Sequence, residues 1–168
     1  MSKQEVAAAH SPALASGRRR KAPDPVLLER LAETGFLATE FGLHEQAECI
    51  FAALAKLKPG KPSPHIALAM VQARRGRMDQ AIAALREVIE LHPDSELARA
   101  VLGSMLLHID DADGQALLEE VVARGEDGAA VGVAVSCLEQ ARAAAPTTAS
   151  VSAPTSSVEF FRHYNVRA

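Results

Sequence analysis

From about residue 24 to residue 145 the hydrophobic and polar positions carry helical signals, and they also repeat. Shifting the chain against itself by 34 residues pairs Gly35 with Ala69, Gly42 with Gly76, Ala47 with Ala81, Phe51 with Leu85 and Pro59 with Pro93. Each pair has a physical task in a helix-turn-helix hairpin. Small residues at 35 and 69 let a first helix press against a second, whose matching small surface is Ala47 or Ala81. Phe51 and Leu85 fill the space one turn further on. Gly42 and Gly76 can take the left-handed backbone that ends the first helix. Pro59 and Pro93 stop the second helix, because proline has no N–H and disfavours helix in the residue before it.

A third unit begins in register, with Leu102-Gly103 where Leu68-Ala69 fall, but around Gly114 to Ala123 its second helix departs from the pattern and reads as degenerate. The stretch Ala129 to Ala145 then places Val131, Val135, Leu138 and Ala141 on one face, as expected of a terminal helix that caps exposed apolar surface. This gives an all-α fold of about three helical hairpins, the third degenerate, closed by a C-terminal capping helix over residues 23–145.

Outside that region the pattern changes. Residues 1–22 mix Ala, Ser, Pro and basic residues without apolar periodicity and read as a disordered arm. Residues 146–157, PTTASVSAPTSS, read as a flexible linker. The last segment, 158–168, gathers Phe160, Phe161 and Tyr164, two of five Phe and the only Tyr, and is a candidate docking tail.

The repeated residues resemble the tetratricopeptide family, whose 34-residue unit has small residues at positions 8 and 20, Gly near 15, a bulky apolar residue at 24 and Pro at 32. The resemblance implies that first helices line a concave surface, chiefly through positions 2, 5, 6, 9, 12 and 13. Carried onto this chain, those positions supply Phe36, Ile66, Met70, Leu97, Val101 and Leu107 as an apolar partner-binding groove. Repeats that clamp an acidic C-terminus use Lys, Asn and Arg at positions 5 and 9. Here Ala32, Phe36, Ile66, Met70, Ala100 and Ser104 stand there, so no carboxylate clamp can form. The groove suits the apolar face of an amphipathic helix, or else the superhelix closes on itself and these residues are ordinary core.

Composition narrows the function. With 48% hydrophobic but only 4% aromatic residues and no Trp, the core must be built from aliphatic side chains on closely packed helices. A net charge of -3 and pI near 6.1 give no general attraction to nucleic acid, and the run Arg18-Arg19-Arg20-Lys21 reads as a solvated cluster. Cys49 and Cys137 stand apart and read as small buried hydrophobes rather than a disulfide or a metal site. No two of the six histidines share metal-ligand spacing, and no phosphate loop or activated nucleophile is legible, so neither catalysis nor a cofactor is expected. No segment is apolar enough to span a bilayer, and a cytoplasmic location is expected.

The segment His44-Glu45-Gln46-Ala47-Glu48-Cys49-Ile50 and the stretch LAMVQARRG, Leu68 to Gly76, are similar to small chaperones of bacterial type III secretion systems, particularly those that hold the needle subunit, and to related secretion proteins of plant-associated bacteria. That resemblance implies sequestration of an assembly-prone apolar helix, with a protein or peptide as partner and no turnover. Homo- or hetero-oligomers are compatible with it. The alternative is a tetratricopeptide scaffold or adaptor, with the tail as its docking peptide.

Overall fold

The computed structural model describes residues 24–144, which form α1 (Pro25–Glu40), α2 (His44–Leu57), α3 (Ser63–Arg74), α4 (Met78–Leu91), α5 (Glu96–His108), α6 (Ala112–Arg124) and α7 (Gly128–Ala144). Among the described residues there is no strand. The arm, the linker and the docking tail with Phe160, Phe161 and Tyr164 lie outside the described residues. No helix among the described residues is long and apolar enough to cross a membrane.

Three hairpins, α1/α2, α3/α4 and α5/α6, are closed by the same turn. Leu43 N–H reaches Ala38 C=O at 2.8 Å, Arg77 N–H reaches Gln72 C=O at 2.9 Å, and Asp111 N–H reaches Leu106 C=O at 3.0 Å. The residue before each donor has positive φ: 73° at Gly42, 76° at Gly76 and 58° at Asp110. Glycine takes this conformation without strain, and Asp is among the few other residues that tolerate it. The 34-residue register therefore runs unbroken from Gly42 to Asp110.

Within the hairpins the paired positions do what their sizes imply. Ala47 and Ala81 are fully buried, and Phe51 and Leu85 are buried beside them. A Cβ built on Gly35 would lie 2.7 Å from the Phe51 ring, so that helix pair closes only because position 35 carries no side chain. Two apolar clusters result. Leu28, Ala38, Ala47, Phe51 and Leu54 of the first hairpin pack with Ala67 and Val71 of α3, whereas Ile66 and Ala69 of the same helix belong to a larger cluster running through α4, α5, α6 and α7. Helix α3 is thus a wall shared by both. Enlarging a small contact position on α4, its hairpin partner, should be costly: Ala81→Leu is expected to lower stability by about 2 kcal/mol through overpacking. Denaturant unfolding that shows no loss would contradict this register.

The third hairpin shows what the degeneracy of its second helix consists of: a shift of one residue. In a strict 34-residue register, Gln115, Glu119 and Val122 would face inward, yet all three are exposed. The inward residues are Gly114, Leu118 and Val121, each one place earlier. The cause is local. Leu43 and Arg77 enter their helices with ψ of 57° and 55° and accept from the residues four places on, Ala47 and Ala81. Asp111 enters extended, with ψ of 125°, caps Asp113 N–H through its side chain at 3.0 Å, and its C=O accepts from Gly114, three places on. The tighter first turn advances the inward face by one residue. A Cβ on Gly114 would meet the backbone N of Leu107 at 2.4 Å, so α5 and α6 approach here with no room for a side chain.

The capping helix keeps Leu138 of its expected face but differs in the earlier turns. Its fully buried residues are Ala130 and Ala134, with Leu138 nearly so, while Val131 and Val135 are only half-buried. It packs along α5 as well as α6, whereas α5 touches α3 little. Small alanines are what allow the helix to lie that close. Cys49, expected to be buried, is exposed, because the inward residues Ala47, Phe51 and Leu54 put position 49 on the opposite side of α2.

Candidate binding groove

Helices α1, α3 and α5 are the first helices of their hairpins, and their repeat positions form rows. One row is Phe36, Met70 and Ser104; the next is Thr39, Ala73 and Leu107. Phe36, Met70 and Leu107 are half-buried and packed against the core, with part of each side chain at the surface. The rings of Phe36 and Phe51 pack at 4.9 Å between centroids with a 53° tilt, which anchors Phe36 on the knob that fills the Gly35 gap. Thr39 is buried and turns its hydroxyl back to donate to Gly35 C=O at 2.9 Å.

The other three groove candidates are placed differently. Ile66 is 0% exposed, Leu97 1% and Val101 3%, so they are core. All three belong to the larger apolar cluster, together with Ala69, Ala81 and Leu85 of the second hairpin and Ala130, Ala134 and Leu138 of α7. The capping helix packs along α5, the helix that carries Leu97 and Val101. Of the six groove candidates, only Phe36, Met70 and Leu107 therefore keep accessible apolar surface.

Charged groups frame it. Arg74 approaches Glu40 at 3.5 Å across the first two repeats, a partly exposed pair that contributes about 0–1 kcal/mol. Deeper in the turn, Glu48 accepts from Arg75 at 2.8 Å and from Arg77. On the third hairpin Glu96 is only 3% exposed and holds Arg99 at 2.8 Å and Arg124 at 2.7 Å. Its hydrogen bond and its charge push the Arg124 pKa above the ordinary value. Burial pushes the half-buried Cys137 thiol up, which disfavours its thiolate. Glu96 and Gly114 were missed in the sequence. Gly114 could have been found by testing a 33-residue step from Ala81, Leu85 and Val88, which lands on Gly114, Leu118 and Val121.

The model of the bacterial type III secretion protein family HrpB1_HrpK matches residues 21–153. The chain belongs to this family. Solved structures share its fold. PcrH from Pseudomonas aeruginosa has a TM-score of 0.58 at 19% identity, over 75% of this chain and 97% of that one. The type III secretion translocator chaperone SycD of Yersinia enterocolitica has a TM-score of 0.58 at 18% identity, over 71% and 91%. The Sgt2 tetratricopeptide domain from Aspergillus fumigatus has a TM-score of 0.54 at 18% identity, over 85% and 99%. No curated protein matches the chain in sequence. Membership in a type III secretion family and the tetratricopeptide architecture thus agree with the resemblance read from residues 44–50 and 68–76.

Proposed function

We propose that this type III secretion protein is a non-enzymatic cytoplasmic chaperone that shields an apolar or amphipathic helix of a secreted subunit. The observation that carries the reading is the half-exposed apolar row of Phe36 and Met70, continued by Ala73 and Leu107, at one end of three successive first helices. An unbranched thioether beside an aromatic ring adapts to varied apolar side chains, and the positions that would clamp a terminal carboxylate are apolar or small. The fold neighbours support the same reading, since PcrH is solved in complex with the chaperone binding regions of PopD and PopB. Whether the client here is a needle subunit or a translocator is a matter of the client's own helix, not of any charged clamp in this groove.

The test is binding and client survival. Co-expressed secretion subunits should stay soluble with the wild-type chain and be lost to aggregation or degradation without it; partners that remain stable alone would point to an adaptor instead. Met70→Glu is expected to weaken client binding by about 2 kcal/mol, as for a central contact, while circular dichroism stays helical. If the domain unfolds with that substitution, Met70 belongs to the core and the groove reading fails.

A further inference from the structure

We propose that the chain's own C-terminal segment, Val158 to Val166, lies in this groove until a client displaces it. The inference rests on the reading of the concave row as a binding groove and adds its regulation. Helices α1, α3 and α5 run in the same sense, and Phe36, Met70 and Leu107 all stand near their C-terminal ends. The short connection between Arg124 and Gly128 returns the chain antiparallel to α6, so α7 runs in the same sense as α5, along which it packs. It therefore delivers Ala144 to the end of the bundle towards which Phe36, Met70 and Leu107 stand. From there the Ser, Thr, Ala and Pro-rich stretch of about twelve residues has a root-mean-square reach of roughly 20 Å, about two helix diameters.

What that leash carries fits the site. Phe160, Phe161 and Tyr164 have the spacing that places them along one side of a helix, and such aromatics are poorly placed in water. Phe36 and Met70 supply an aromatic ring and a polarisable sulfur, both favourable neighbours for rings. The family match ends at residue 153, before these aromatics. A segment tethered beside the groove competes at an effective concentration that a free client must exceed.

The test uses the full chain with methyl-labelled methionine, compared with full-length Phe160→Ala/Phe161→Ala/Tyr164→Ala. The Met70 methyl resonance, assigned with Met70→Leu, should move between the two proteins, while those of Met78 and Met105, on other faces, stay in place. A fluorescent peptide of residues 157–168 should bind the triple variant about tenfold tighter than wild type, the factor expected when about one groove in ten is open. An unmoved Met70 signal, or equal peptide affinity for both proteins, overturns the proposal. So does a Met70 shift that grows with protein concentration, which would place the tail of a second copy there. Clients that prove independent of this protein while Met70 still responds to the tail would remove the chaperone reading and leave the contact standing.

Discussion

Glu96→Ala is expected to destabilise the fold by about 3 kcal/mol, at the lower end of the cost of breaking a buried ion pair. The carboxylate lies at the start of α5 and ties two arginines from different parts of the third hairpin: Arg99 one turn further along α5, and Arg124 at the end of α6. Arg99 also donates to Pro93 C=O, so the same cluster fixes the connection from the second hairpin to the third. Removing the carboxylate leaves two guanidinium groups facing each other. Arg124 is 41% exposed and can turn to water, which keeps the loss from the upper end of that range, but Arg99 is only 14% exposed. Thermal unfolding should show a fall of roughly 10 °C. Glu96→Gln keeps the volume and one acceptor oxygen and should lose less. A change below about 1 kcal/mol for Glu96→Ala would mean that the cluster is ordinary surface electrostatics.

Gly114→Ala should cost nearly as much, about 2–3 kcal/mol net, although alanine is the better helix former by about 1 kcal/mol. The new methyl would lie 2.4 Å from Leu107 N and 2.9 Å from both Gly103 O and Leu106 C. All three are backbone atoms, so no rotamer change can relieve the contact and α5 and α6 must move apart. Leu118 would then lose its seat over Gly103, where a Cβ would already be within 2.9 Å of Leu118 Cγ. The control is Gly132→Ala on the outer side of α7, where a Cβ would meet nothing within 4 Å. That substitution should be neutral or stabilising in denaturant unfolding. Equal effects at the two sites would show that helix propensity, not the approach of α5 to α6, governs position 114.

The contrast between these two glycines also shows where sequence reasoning reached its limit. At Gly42 and Gly76 the function of glycine was legible because it recurs at a fixed interval before a helix start, and the structure gives both a positive φ. At Gly114 the interval is one residue short, so the same kind of residue looked like the loss of a pattern. The difference lies in how Asp111 enters its helix. A side-chain cap at that residue was foreseeable from its type, but its effect on helical phase depends on a backbone angle. Phase then decides that Gly114, Leu118 and Val121 are the inward residues of α6.

The sequence by itself determined the helical hairpins, their 34-residue spacing, the left-handed turn positions, the small-to-large contacts and the apolar character of the first helices, because each follows from residue size or backbone freedom at regular intervals. It also held the family resemblance in residues 44–50 and 68–76. Only the tertiary structure decided which groove residues face solvent. Ile66, Leu97 and Val101 have the same repeat logic and apolarity as Phe36, Met70 and Leu107, but neighbouring helices bury the first three and leave the others half-open. Periodicity reports which face of a helix is apolar; how much of that face is covered depends on how many helices pack against it, and along this chain α7 changes that number at one end of the stack.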